Sequence, residues 1–382
     1  MKTSRLEEIC EISIGRTPSR NSKEYWGSGY KWVSISDMKS EVITQTKEEI
    51  TEKAVSSLNC KKIPAGTLLM SFKLSIGKLA FAGTELYTNE AIASLIIRDE
   101  TILNNKFLFF ALKQMKFSGG NQAVMGVTLN SKSLASIQIP LPPLPEQIAI
   151  ANILSRAEEL IAKRKGSLAL LDEYLKSTFL ELFGDELISG KKIDLNNLCS
   201  KITDGTHDTP ERLKEGVKFI TGKHIRPFVI DYANSDYVTQ EIHEEIYRRC
   251  NPEFGDILYT NIGVNFGTAA MNVVDYQFSM KNVALLKPKF NKINPRYLEH
   301  ILNNEKQKSS IVSKGGSGGA QQFLSLKQIK DIKIPVPPLE LQNQFAAIVE
   351  KVEVLKEKYQ KSLGELENLY GSLSQRAFRG EL

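Results

Sequence analysis

The proline-rich run Ile137-Gln-Ile-Pro-Leu-Pro-Pro-Leu-Pro-Glu-Gln147 returns as Ile332-Lys-Ile-Pro-Val-Pro-Pro-Leu-Glu-Leu-Gln342, an offset of 195 residues (137 to 332). A long-period repeat constrains topology more than any local motif, because whatever one copy folds into the other must fold into as well. Further fragments recur at nearly the same spacing. Leu6 and Ile9-Cys10 match Leu195 and Leu198-Cys199, and Lys31-Trp32-Val33-Ser34 matches Lys218-Phe219-Ile220-Thr221. Pro64-Ala-Gly-Thr-Leu-Leu-Met-Ser71 aligns with the segment ending Phe254-Gly-Asp-Ile-Leu-Tyr-Thr260, and Cys60 and Cys250 stand shortly before these two segments. The 382-residue chain therefore reads as two copies of a unit of roughly 190 residues, several times longer than a solenoid repeat.

Within each copy the pattern changes at the proline cluster. Before it lie short apolar runs such as Leu68-Leu69-Met70 and Ile257-Leu258-Tyr259, broken by Gly, Asn, Ser and Pro, which predict β-rich heads. After it, apolar residues recur in steps of three and four. Ile153, Ala157, Leu160, Leu168, Leu171, Leu175 and Leu182 mark one seam, and Ile348, Val352, Leu355, Tyr359, Leu366, Leu369 and Leu373 the other. Pro142-Pro143 and Pro337-Pro338 suit a helix entry, and Gly184 and Gly371 or Gly380 suit its end. Each helix is expected to run about 35 residues, or about 50 Å.

The first helix feeds into the second head and the second helix begins where that head finishes, so helices in contact must run antiparallel with one head at each end. The expected fold class is α+β: two pseudo-symmetric globular domains separated by two long helices that form an antiparallel coiled coil. The expected boundaries are residues 1–143 for the first head, 144–185 for the central helix, 186–337 for the second head and 338–382 for the C-terminal helix.

Composition excludes several classes. The chain is 41% apolar and 25% charged, unlike a disordered or low-complexity sequence. No run of roughly 20 apolar residues is present and Met1-Lys-Thr-Ser-Arg5 opens on charges, so a cytoplasmic protein without a membrane partner is expected. Cys10, Cys60, Cys199 and Cys250 form no C-x-x-C pair, which argues against a zinc finger or a disulfide framework. The net charge of +6 permits a nucleic-acid partner without requiring one.

The motifs that could carry chemistry fail on spacing. Gly216-Val-Lys-Phe-Ile-Thr-Gly-Lys-His224 has one residue too many for a phosphate loop and His224 where Ser or Thr would bind magnesium. Asn251-Pro-Glu-Phe254 is close to a methyltransferase tetrapeptide, but Glu253 replaces its second proline and no nucleotide-binding turn accompanies it; its place in the repeat makes it a strand entry. Asp204 and His207, read as having no counterpart in the first copy, fit a hydrogen-bonded turn better than a catalytic pair. His207, His224, His243 and His300 lack metal-ligand spacing. Gly315-Gly-Ser-Gly-Gly319 reads as a turn or a loop close to DNA. No catalytic residue, metal or cofactor is expected.

Two related heads on a stiff spacer suit two separated half-sites on double-stranded DNA. The candidate DNA-binding residues are Arg16, Arg20, Lys31, Lys73 and Lys78 in the first head and Lys218, Lys223 and Arg226 in the second, with Lys23, Arg212, Lys214, Arg248 and Arg249 nearby in sequence. The competing reading of any one of them is an ordinary solvated charge. An autonomous nucleic-acid-modifying enzyme, such as a DNA methyltransferase, and a purely structural scaffold are the alternatives.

Taken together, Thr17-Pro-Ser-Arg20, Glu24-Tyr-Trp-Gly-Ser-Gly-Tyr-Lys-Trp-Val-Ser-Ile-Ser-Asp37, Met70-Ser-Phe-Lys-Leu-Ser-Ile-Gly-Lys78, Thr203-Asp-Gly-Thr-His-Asp-Thr-Pro210 leading to Phe219-Ile-Thr-Gly-Lys-His-Ile225, and the paired Ile-Pro-x-Pro-Pro-Leu turns resemble the specificity subunit of type I restriction-modification systems. The resemblance covers essentially the whole chain. It implies that each head is a target-recognition domain reading half of a bipartite, asymmetric DNA sequence, and that the helices set its spacer. It further implies a non-catalytic subunit that assembles with two methyltransferase subunits and, where the system includes them, with restriction subunits. Glu340-Leu341-Gln342 stands where the first turn has Pro145-Glu146-Gln147, a departure from strict duplication.

Overall fold

The computed structural model describes residues 2–115, 130–263, 265–313 and 323–382. The Gly315–Gly319 run lies outside the described residues. The chain forms two compact units, Met1–Lys165 with Lys361–Leu382 and Gly166–Gln360.

In the first unit a five-stranded sheet carries Cys10–Ile14, Ile92–Ile97, Leu68–Ser71, Leu79–Ala82 and Val42–Ile43 in that spatial order. A second sheet sets Trp26–Val33 between Glu48–Ile50 and Tyr87–Thr88, pairing parallel with the latter. The second unit repeats both. Cys199–Asp204, Ala284–Pro288, Ile257–Tyr259 and Ala269–Met271 form the first sheet, and Val217–Thr221 lies between Asp236–Val238 and Ser279–Lys281, again parallel to the latter. A matched helix N-cap accompanies each: Thr51 accepts from Ala54 N–H, and Thr239 from Ile242 N–H. The repeat in sequence is thus a repeat of topology.

The proline motif closes each head. Its Gln138–Pro140 strand pairs antiparallel with Thr3–Arg5, and Lys333–Pro335 pairs likewise with Lys192–Asp194. The helices Leu144–Ser189 and Leu339–Arg379 begin one residue after the double prolines, where Pro143 and Pro338 carbonyls accept from Gln147 and Gln342 N–H. At 46 and 41 residues they exceed the expected length and span about 69 and 62 Å at 1.5 Å per residue. Gly184 and Gly371 lie inside them, because a solvent-facing glycine in a long helix costs only about 1 kcal/mol. The first helix stops before Gly190 instead, and the second before Gly380, the alternative end its sequence offered.

In each unit the two helix segments run antiparallel. In the first, Tyr370 Oη donates to Glu158 at 2.5 Å and Lys165 pairs with Glu367 at 2.8 Å. In the second, Lys356 pairs with Asp172 at 2.5 Å while Phe345 meets Phe179 and Phe183 at ring distances of 5.3 and 5.5 Å. The buried helical positions match the expected seam only in part: Ala157 and Val352 are buried and Leu175, Leu182 and Leu373 pack on the cores, but other positions enter as well. Ile150, Ala151, Leu154 and Ala377 enter the core of the first unit, and Phe179, Phe183, Phe345 and Val349 that of the second. Ile153, Leu160 and Leu369 are 41%, 39% and 51% exposed. Helix ends pack on sheets and short helices as well as on each other, so the buried face is wider than, and rotated from, a two-helix seam. Among the described residues no helix is long and apolar enough to cross a membrane.

Candidate nucleic-acid interface

The loop after the first strand of each head is fixed by a close backbone approach. A Cβ on Gly15 would lie 2.0 Å from the Thr88 carbonyl oxygen, and one on Gly205 2.1 Å from that of Met280. Arg16 N–H donates to Thr88 O at 2.9 Å and Thr206 N–H to Met280 O at 3.0 Å. Asp204-Gly205-Thr206-His207 therefore has a counterpart in Ile14-Gly15-Arg16-Thr17, which the divergent side chains hide. In the first head two indoles pin the loop: Trp32 Nε1 donates to Arg16 O and Trp26 Nε1 to Ser19 O, both at 3.0 Å.

Five of the candidate basic residues have partners within their own head. Arg20 pairs with Glu48 and its guanidinium lies 3.9 Å from the Trp26 ring centre. Arg16 donates to Leu58 O, Lys31 to Thr44 O at 2.5 Å and Lys218 to Tyr232 O at 2.8 Å. Lys223 sits 3.0 Å from Asp236, which also holds Arg212. Lys73, Lys78 and Arg226 are exposed, and their side chains make no hydrogen bond or ion pair among the described residues.

Lys73 and Lys78 belong to a hairpin between Leu68–Ser71 and Leu79–Ala82. Ser71 Oγ braces it by donating to Ser75 O and accepting Lys78 N–H at 3.0 Å, while Gly77 N–H donates to Ser71 O at 2.9 Å. The second head repeats the brace: Thr260 Oγ1 donates to Asn265 O and accepts Thr268 N–H at 3.0 Å, and Gly267 N–H donates to Thr260 O at 2.8 Å. Asn265 Nδ2 then ties that hairpin to Gly222 O and Ile225 O at 3.0 and 2.9 Å.

The tie builds a concavity of about 300 Å³ whose lining includes Arg212, Lys223, Lys281, Asn282 and Gly263. Sequence reasoning missed Lys281 and Asn282, since only the parallel pairing of Thr221 with Lys281 brings them there. His207 stands beside them, its Nε2 2.8 Å from Asp204 Oδ2 and its Nδ1 2.9 Å from Asn282 Oδ1. With both ring nitrogens engaged, the imidazole bridges Asp204 and Asn282 and braces the loop. A groove of this kind offers cations and amides to an anionic polymer.

The other motifs resolve into structure. Gly216–His224 runs as a strand and a three-residue 3₁₀ turn, with no helix N-terminus for a phosphate. His224 is buried, accepts Thr221 N–H at Nδ1 (2.9 Å), and has its pKa lowered by that burial. Asn251–Phe254 leads into Ile257–Tyr259, where Asp256 is buried against Lys287 at 2.7 Å and burial raises its pKa. Among the described residues no group of His, Cys, Asp or Glu could hold a metal ion.

A buried polar group sets the second head apart. Glu299 is fully buried, 3.2 Å from Arg296 and accepting Met271 N–H at 2.8 Å, and Arg296 also pairs with Glu353. Burial dominates and lifts Glu299 to about 7, while burial among Phe179, Phe228 and Phe345 lowers His300 to about 4. The corresponding positions in the first head are Phe109 and Phe110.

Comparison with known proteins agrees with the duplicated architecture. The sequence profile of the type I restriction modification DNA specificity domain matches residues 1–172 and again 212–368. The MjaIX type I restriction enzyme specificity subunit of Methanocaldococcus jannaschii is 24% identical, over 99% of this chain and 92% of that protein. The EcoBI specificity subunit of Escherichia coli is also 24% identical, over 77% of this chain and 69% of that one. Among solved structures, the S subunit of a type I restriction-modification system from M. genitalium has the same fold, with a TM-score of 0.61 at 18% identity over 99% of this chain and 96% of that one.

Proposed function

This chain belongs to the type I restriction-modification DNA specificity family, and from that premise we propose that it is the subunit that selects the DNA sequence for a methyltransferase and restriction complex. Each head reads one half of a bipartite, asymmetric double-stranded target. The subunit has no chemistry of its own; it binds two methyltransferase subunits, and restriction subunits where the system includes them. The observation that carries this reading is the duplicated braced hairpin, with Lys73 and Lys78 in one head and the Lys223, Lys281 and Asn282 concavity beside it in the other. Lysines serve phosphates, while an asparagine amide matches the N6 and N7 edge of adenine. Lys73, Lys78 and Arg226 act as phosphate contacts; Arg16, Arg20, Lys31, Lys218 and Lys223 are held by partners elsewhere in their own heads.

The test is to map methylated adenines in a host carrying this gene with its methyltransferase partner. Equilibrium binding of the purified complex to the mapped duplex is then compared with binding to random duplexes. Preference for one bipartite sequence by a factor of about 10³ or more is expected. Equal affinity for all duplexes would defeat the proposal.

A further inference from the structure

The two braced hairpins differ at one informative position. The third residue after the bracing hydroxyl takes a left-handed conformation in both heads: Leu74 after Ser71, at φ +60°, and Gly263 after Thr260, at φ +90°. Glycine enters that conformation freely, whereas a residue with a Cβ is strained there. The second head therefore shows that the turn itself needs no side chain. A Cβ on Gly263 would meet nothing within 4 Å. The first head carries a leucine all the same, and that leucine is 83% exposed. Strain and exposure both disfavour Leu74 in the free protein, and no burial offsets them. Strain of this kind persists where a function uses the residue. Its neighbours say what that function meets: Lys73 and Lys78 are exposed and without ion-pair partners among the described residues, so the tip is apolar between two cations.

We propose that Leu74 is a specificity-determining residue of the first head, making an apolar contact with base edges while Lys73 and Lys78 hold the flanking phosphates. This assignment rests on the DNA-reading function proposed above. A tip that bound phosphate alone would gain nothing from a leucine, whereas base edges offer an apolar partner in the thymine methyl group. The brace makes the contact selective: the Ser71 hydroxyl fixes the base of the hairpin from its own backbone, so the tip is presented in one geometry.

The test uses the complex of this chain with its methyltransferase partner and two duplexes of equal length, one with the sequence mapped from methylated adenines and one random. Leu74→Gly is expected to raise Tm, because it relieves strain without removing packing. It is expected to lower affinity for the mapped duplex about tenfold, with affinity for the random duplex and the salt dependence unchanged. Lys78→Ala is expected to weaken both duplexes together. Leu74→Gly binding the mapped duplex as tightly as the unaltered complex would overturn the assignment, as would equal losses on the two duplexes. A failure of the unaltered complex to prefer the mapped duplex would overturn the specificity reading and this assignment with it, and is recognised without any substitution.

Discussion

Gln147 Oε1 accepts the backbone N–H of Asn104 at 2.9 Å, and its amide donates to the carbonyls of Pro142 and Ile102, both at 2.8 Å. Asn104 is itself the N-cap of the helix Asn105–Gln114, so a single side chain joins the proline turn to the start of another helix. Gln342 repeats the arrangement, accepting Asn294 N–H at 2.9 Å and donating to Pro337 O at 2.8 Å, and Asn294 caps Pro295–Asn303. The change from Pro145-Glu146 to Glu340-Leu341 leaves this lock intact.

Replacing either glutamine by alanine strands buried backbone groups, since both side chains are fully buried. A loss of about 2–4 kcal/mol is expected for each, read by denaturant unfolding. Gln147→Ala should accelerate hydrogen exchange at Asn104 and Gln342→Ala at Asn294, each without affecting the other.

Stability should depend on pH through two opposed groups in the second unit. Glu299 titrates near 7 in the folded chain and near 4.5 when unfolded. Between those values the unfolded state loses a proton that the folded state keeps, so stability falls as pH rises. His300 is held near 4 against an ordinary 6.5, so over that window stability falls as pH drops. Each contributes about 3 kcal/mol at full extent, within a setting that also includes Arg296, Glu353 and Lys356. Glu299→Gln should therefore leave a protein whose stability rises from pH 4 to 6.5 relative to the parent's profile. His300→Phe, which installs the residue found at Phe110, should leave one whose stability falls from pH 4.5 to 7. Unfolding free energies across pH 4–8 for parent and variants check both signs.

Exposed and paired cations should separate in their salt dependence. Lys73→Ala, Lys78→Ala and Arg226→Ala are each expected to weaken DNA binding on any sequence and to lower the slope of log affinity against log salt by about 1. Arg20→Ala should behave differently, because its guanidinium stacks on Trp26 and pairs with Glu48. It should lower Tm and leave the slope unchanged. Binding titrations from low to moderate salt, with thermal melts, test the division.

Under the proposed function the two helices set the spacing between the half-sites, and that spacing can be shortened. Deleting one heptad from Leu144–Ser189 and one from Leu339–Arg379 removes about 10 Å from each. The unspecified spacer in the methylated sequence should contract by about three base pairs, at 3.4 Å per step. Mapping methylated adenines for the deleted form reads this directly.

The repeat made most of the architecture legible, because backbone topology is duplicated wherever apolar runs and prolines are. It failed where function diversified the side chains. Gly15 and Gly205 play one backbone role, yet Arg16-Thr17 and Thr206-His207 share no chemistry, so the correspondence surfaced only in the hydrogen bonds to Thr88 and Met280. The helical seam is legible in part: Ala157 and Val352 are buried as their spacing indicates, whereas Ile153 and Leu160 fit a two-helix spacing yet stay exposed, and Phe179 and Phe183 answer to a core built from strands and short helices as well. The candidate interface was legible in part. Lys73 and Lys78 flank a recognisable glycine turn, but Lys281 and Asn282 reach theirs through a parallel strand pairing that leaves no local signal.

The hydroxyl brace of Ser71 and Thr260 bonds only to main-chain atoms. Side chains between the bracing hydroxyl and the returning strand can therefore be exchanged without loss of the brace itself, although Asn265 in the second head also carries the tie to Gly222 and Ile225. A lineage carrying such a chain can drift to a new target by point changes at the tip, each leaving a folded protein for selection to act on, and the two heads can drift independently because each has its own brace.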